Sequence, residues 1–253
     1  MDKLNIMLII SYDGTGYSGW QRIENAQKPS IQALLENRIS GLLGQRIRLI
    51  GSGRTDAGVH AIAQTANFIC RTSDGEIPKN FTAHLNYILP EDIRIVSARK
   101  VPLTFHSRHD AISKTYEYRI DLRRPPSVFD RRWTYQEKGD LSVELMGQAA
   151  EYLVGMHDFA AFSTNGETKR ATIRTIYRFE IIREGNNLRM EVTGDGFLYH
   201  MVRIMVGTLI EVGRGERSPR EIPLILRSRE RNTAGWMAPP QGLFLKEVHY
   251  EHI

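Results

Sequence analysis

Apolar and polar positions alternate at the start of the chain, where Leu4, Ile6, Leu8 and Ile10 are interleaved with Asn5, Met7 and Ile9. This two-residue period predicts a strand that ends at Asp13, Gly14, Thr15 and Gly16. The period then changes. Ile31, Leu34, Leu35, Ile39, Leu42 and Leu43 fall on one helical face, with Ser30 placed to cap its start and Gly44 its end. Strands follow over 46–50 and 64–70, then a helix over 79–89 stopped by Pro90, then a strand over 93–101. The first half therefore reads β-α-β-β-α-β.

The same order recurs from Lys114. Tyr116, Tyr118 and Ile120 share one face of a strand, and Leu141, Leu145, Met146, Ala149 and Leu153 mark a helix ending at Gly155. Gly185, Asn186 and Asn187 are a hairpin signal between strands over 175–183 and 188–193. A helix over 197–212, a short one after Pro219 and a strand over 243–250 complete the chain. The expected class is α+β, with two ferredoxin-like halves, mixed but mainly antiparallel sheets and a central cleft. The domains expected are 1–107 and 108–253.

Composition narrows the range of partners. The formal net charge is +5, and 26 of the 34 basic residues are Arg, whose fork matches phosphate and whose plane stacks on bases. Arg119, Arg123, Arg124, Arg131 and Arg132 form one concentration; Arg214, Arg217, Arg220, Arg227, Arg229 and Arg231 form another. Asp121, Asp130, Glu216, Glu221 and Glu230 are interspersed, so a polyanion-binding bed and a salt-bridged surface both fit. The single cysteine, Cys70, excludes an intramolecular disulfide and a cysteine metal cluster. No secretory signal or long apolar run is present, and a soluble, cytoplasmic protein is expected.

The densest chemistry lies at 51–60, where Gly51, Gly53 and Gly58 surround Arg54, Thr55, Asp56 and His60. Glycines allow a tight turn and leave room for a flat ligand beside the Asp56 carboxylate. Over 197–210 of the last long helix, Arg203 is the one residue with a permanent charge, among Leu198, Met201, Val202, Met205, Val206 and Leu209. A buried cation needs a carboxylate, and Asp56 is the candidate; the alternative is an Arg203 that reaches water and pairs with Glu211 or with nothing. Tyr116 and Tyr118 either offer a ring to a nucleobase or fill core. Asp13, Tyr17, Trp20 and Gln21 form a polar aromatic loop that either touches RNA or caps the sheet. His106 and His109 beside Arg108, and His157 with Asp158, match no strong metal signature, so no metal is expected. The 51–58 turn lacks the Lys-Ser/Thr of a phosphate-binding loop. Two rivals stand beside catalysis on RNA: a non-catalytic RNA-binding protein, and an Asp-nucleophile hydrolase with Asp13 as second Mg²⁺ carboxylate.

These residues resemble the TruA type of tRNA pseudouridine synthases along the whole chain. Tyr12 Asp13 Gly14 with Gly19 Trp20 Gln21, the run from Gly51 to His60, Phe105 His106, Lys114 Thr115 Tyr116, Phe197 with His200 Met201 Val202 Arg203, and Gly242 Leu243 Phe244 Leu245 recur in the family's order. One departure is Ser107 Arg108 His109 Asp110 Ala111, where the family pattern has a smaller residue after the His and an aromatic with Ser before the Ala. The resemblance implies isomerisation of uridine to pseudouridine in the anticodon stem-loop of tRNA, at positions 38, 39 and 40, without cofactor or metal. It implies Asp56 as the essential carboxylate, attacking C6 of the uracil or acting at C1′ of the ribose. Arg54 would enter the RNA helix, Tyr116 stack on the flipped uracil, and Arg203 pair with Asp56. Thr55, His60, Tyr12, Trp20, Gln21, His106, Phe197 and His200 are the remaining expected RNA-binding residues. A homodimer cradling one tRNA is the implied assembly, with no membrane partner.

Overall fold

The computed structural model describes residues 2–22, 27–73, 75–164 and 172–251. Two compact units divide the chain, Met1–Ile112 with Phe244–Ile253, and Ser113–Leu243.

The first unit contains β1 (Asp2–Tyr12), α1 (Ile31–Leu43), β2 (Ile50–Gly51), β3 (His60–Thr72), α2 (Phe81–Ile88) and β4 (Ile93–Val101). The expected β-α-β-β-α-β order is present. Ser30 caps α1 by accepting from the Ala33 amide, and Gly44 ends it at φ 62°. β1 lies between β4 and β3, antiparallel to both. Its long apolar run fits a strand with a neighbour on each edge and a packed face, and Leu4, Ile6, Leu8 and Ile10 are buried. β10 (Leu243–Tyr250) runs parallel to β3, pairing Phe244 with His60 and Leu245 with Ala61. Its order along the chain puts this strand in the second repeat, yet it is hydrogen-bonded into the first unit. An alternating pattern identifies a strand without naming the edge it will join.

The second unit begins within β5 (Ala111–Asp121) and continues with β6 (Tyr135–Gln136), α3 (Val143–Glu151), β7 (Gly155–Asp158), β8 (Ile173–Glu184), β9 (Asn187–Gly194), α4 (Met201–Gly213) and α5 (Ile222–Ser228). β5, β9, β8 and β7 follow one another antiparallel, and β6 adds a short parallel pair to β5. The 185–186 hairpin turns through Gly185 at φ 61°. The structure is thus α+β with mainly antiparallel pairing, as the pattern predicts.

Several elements differ from their expected bounds, among them β3, which extends from the expected 64–70 to His60–Thr72. The strand over 46–50 is reduced to Ile50–Gly51. The helix expected to run to Gly155 ends at Glu151, and Gly155 turns the chain into β7 at φ 110°. The helix expected from Phe197 starts at Met201, because His200 adopts φ 64°, outside the helical region. Among the described residues, no helix is long and apolar enough to cross a membrane.

Candidate active site

In the first unit the 51–60 turn is fixed from several directions. Ile50 and Gly51 pair with Asn67 and Ala66 of β3, and the ladder continues through the Ser52 amide to the Thr65 carbonyl at 2.8 Å. The buried Gln64 accepts from the Ser52 hydroxyl at 2.7 Å and donates to the Gly53 carbonyl at 3.0 Å. Thr55 shares a hydroxyl hydrogen bond of 2.7 Å with Tyr12, and its carbonyl accepts the Trp20 amide at 3.0 Å. A Cβ on Gly51 would stand 2.4 Å from Nε1 of Trp20, so the indole rests directly on the main chain of the turn. The Val59 amide closes the far side onto the Asp56 carbonyl at 3.1 Å, with Gly58 at φ 78°.

Asp56 and Arg54 are left at the surface of this frame, Asp56 half-buried and Arg54 exposed. The frame itself is buried. Tyr12, Trp20, Thr55 and His60 present almost no surface, so of the expected RNA-binding set they lie beneath the turn and hold it. His60, 1% exposed, stacks on Phe244 with ring centroids 4.7 Å apart. Its Nδ1 lies 3.1 Å from both the Gly14 amide and Oδ1 of Asp13. Burial pushes the Tyr12 phenol well above the ordinary tyrosine range, against smaller opposing effects of Thr55 and Gln64, so it stays protonated at neutral pH. A carboxylate on a backbone held in this way needs little reorganisation before it meets a reacting base.

Asp13 has a local task. Its Oδ1 accepts the Thr15 amide at 2.9 Å and hydroxyl at 2.6 Å, capping the short turn at Gly14–Gly16. Among the described residues, no group of three His, Cys, Asp or Glu side chains is placed to hold a metal ion.

In the second unit, Tyr116 on β5 is buried and meets the half-buried Phe197 edge-on at 5.1 Å. Tyr118 is core, its phenol donating to the Pro239 carbonyl at 2.9 Å. Arg203 is 8% exposed on α4, which rules out the reading in which it reaches into water. Its Nε donates to the Ala238 carbonyl at 2.7 Å, and its own carbonyl accepts the Ala238 amide at 3.0 Å. The segment 235–238 is strapped along α4 by further bonds. Thr208 Oγ1 accepts the Gly235 amide and Glu211 accepts the Trp236 amide, while Gly207 lets the Trp236 carbonyl approach to where a Cβ would be 1.9 Å away. Glu211 also holds Arg217 at 3.0 Å. The strap thereby fixes the direction of the Arg203 guanidinium. His200 precedes the helix, its Nδ1 hydrogen-bonded to the Thr164 hydroxyl at 2.7 Å, with the exposed Tyr199 ring 3.7 Å from its own.

Of the other expected contacts, Gln21 is exposed and His106 half-buried. The two arginine concentrations are largely ion-paired: Arg119 with Glu117, Arg123 with Asp121 and Asp130, Arg214 with Glu137, Arg217 with Glu221, and Arg229 with Asp158. Sequence reasoning passed over Gln64 and Asn67, which support the turn from β3. The available signal was an uncharged amide inside a strand at positions that must face packed neighbours.

The family model described as tRNA pseudouridine synthase matches residues 8–110 and 149–251. Relatives include "tRNA pseudouridine synthase A 2" of Clostridium tetani, 47% identical over 97% of this chain and 98% of its own length. "tRNA pseudouridine synthase A" of Acetivibrio thermocellus is 46% identical over 97% and 99%, and that of Caldicellulosiruptor bescii 42% identical over 97% and 99%. The chain belongs to the tRNA pseudouridine synthase family, the family its motifs resemble.

Proposed function

We propose that this chain isomerises uridine to pseudouridine in the anticodon stem-loop of tRNA, at positions 38, 39 and 40, with Asp56 as the essential carboxylate. The observation that carries the catalytic assignment is the 51–60 turn, whose buried residues fix the main chain on either side of a half-buried carboxylate. The reaction breaks the C1′–N1 bond, rotates the uracil, joins C1′ to C5 and moves the C5 proton to N1. It is redox-neutral and consumes no water, so its balance calls for no cofactor. Asp56 adds to C6 or acts at C1′ while the base is detached, and exclusion of water keeps the base from being lost.

A stacked base cannot reach a protein carboxylate. It must be everted, at a cost of a few kcal/mol. The exposed Arg54 is suited to fill the space left in the RNA, and Tyr116, braced by Phe197, offers a ring for the everted uracil. Arg203, aimed by the 235–238 strap, is the proposed partner of Asp56. The working form is a homodimer that cradles one tRNA, in the cytoplasm where its substrate resides. Incubation with an unmodified tRNA transcript followed by pseudouridine mapping tests this: product at 38, 39 and 40 is expected, and absence of product overturns the reading.

A further inference from the structure

A buried polar network runs beneath the 105–110 turn of the first unit. Asn67, 1% exposed on β3, donates to Asn5 Oδ1 at 2.9 Å and to the Phe105 carbonyl at 3.3 Å, and its Oδ1 accepts the Ser107 amide at 2.9 Å. Asn5 in turn donates to the carbonyls of Pro102 at 3.0 Å and Phe105 at 2.8 Å. Ser107 is buried, gives its hydroxyl proton to the Ile50 carbonyl, and accepts the Tyr250 phenol on its own carbonyl at 2.6 Å. Burying this many polar groups is costly unless every one is satisfied. What they hold is a turn, and they hold it to Ile50, the residue that leads directly into the 51–60 turn carrying Asp56.

Arg108 follows the clamped Ser107. Its amide and that of His109 both donate to Nδ1 of His106 at 3.2 Å, which winds the turn around the imidazole. The Arg108 side chain is exposed and its guanidinium has no hydrogen bond or ion pair among the described residues. Many arginines of the second unit stand beside carboxylates; this one stands on a fixed backbone with its fork open. Arg54 occupies a parallel position, one residue past Gly53, whose carbonyl Gln64 holds. The two anchors, Gln64 and Asn67, are three residues apart on β3, about 10 Å along the strand. Exposed arginines elsewhere, such as Arg99 on β4, lack this common frame with Asp56.

We infer that Arg108 binds a backbone phosphate of the substrate RNA and so holds the RNA beside the 51–60 turn. The inference rests on the proposed function. A guanidinium fork matches a phosphodiester bidentately, and such contacts position the nucleic acid without reading its sequence. Arg108 is a positioning residue: it meets the RNA away from the reacting atoms.

The test uses the full chain with Arg108→Ala, Arg108→Lys and, as an exposed-arginine control, Arg99→Ala. Binding to unmodified tRNA transcript is measured across a salt titration, and pseudouridine formation separately. Arg108→Ala is expected to weaken binding several-fold, to reduce the slope of log K against log salt by about one, and to raise KM with kcat retained at saturating tRNA. Arg108→Lys keeps the charge and most of the slope, while Arg99→Ala matches the parent. An Arg108→Ala protein with parental affinity and slope, or an equal loss in Arg99→Ala, overturns the inference. A parent that binds tRNA yet makes no pseudouridine defeats the functional reading instead, and the two failures are distinct because the titration requires no turnover.

Discussion

The phenol of Tyr12, at the end of β1, and the hydroxyl of Thr55, next to the candidate catalytic carboxylate, share a buried 2.7 Å hydrogen bond. It joins the sheet to the turn that carries Asp56. Replacing Tyr12 by Phe is expected to remove this bond at a cost of about 1 kcal/mol. The turn would lose register, so kcat should fall more than KM rises. Steady-state kinetics beside urea unfolding would check this, and a variant with parental kcat would show that Asp56 is held without the bond.

Asp56→Asn keeps the shape of the site and removes its charge. Pseudouridine formation is expected to disappear while the tRNA Kd stays within a few-fold of the parent. A variant that still forms product at the parental rate would refute the catalytic assignment; one that binds RNA and does nothing separates the enzyme from a binding protein.

The proposed partnership of Asp56 and Arg203 is open to a thermodynamic cycle. Removing one member of an ion pair leaves the other uncompensated. Asp56→Asn and Arg203→Met should each destabilise the protein, and the double variant should cost less than the two losses combined. Strict additivity in urea unfolding would mean that the two groups do not meet.

Gly51 and Gly207 are both closed to a side chain, by the Trp20 indole and by the Trp236 carbonyl. Gly51→Ala should lower stability by about 1–3 kcal/mol, the usual range for forced overpacking, and impair activity by displacing the turn. Gly207→Ala should act through the strap, since a Cβ 1.9 Å from the Trp236 carbonyl must push the 235–238 segment off α4. Thermal unfolding and turnover of the two variants provide the check; parental values in both would mean that these close approaches are not needed.

Acid stability should depend on Asp121, which is 0% exposed. Burial pushes its carboxyl upward, but the Arg123 side chain and the amides of Arg123 and Ser127 outweigh this and leave it below the ordinary range. Asp130, bonded to the same Arg123, is also lowered. A carboxyl depressed in the folded state stabilises it above the unfolded value, about pH 4, and the contribution is lost as the pH falls through the lower folded value. The unfolding free energy should therefore drop steeply below about pH 4, and Asp121→Asn should flatten that drop. Parallel curves for parent and variant would contradict the account.

Much of this architecture was readable in the chain. The alternation at Leu4 to Ile10 and the helical face from Ile31 to Leu43 report burial that is set locally, and Ser30 and Gly44 mark ends by chemistry that is also local. The run from Gly51 to His60 was likewise conspicuous, because glycines at such density announce an unusual backbone. What could not be read was long-range. The positive φ of His200 is imposed by its surroundings, and the edge joined by the last strand depends on which neighbour remains unpaired. The assignment of Tyr12, Trp20 and His60 to the RNA surface came from their position in the motifs. All three are buried around the turn that carries Asp56, a placement their positions in the motifs do not convey.

Phe244 and Tyr250 belong to the first unit, so β10 supplies both the ring stacked on His60 and the phenol on the Ser107 carbonyl. A chain without β10 would keep Asp56 yet lack the strand that pairs beside its turn. Loss of β10 is therefore expected to loosen a turn that lies far upstream in the sequence.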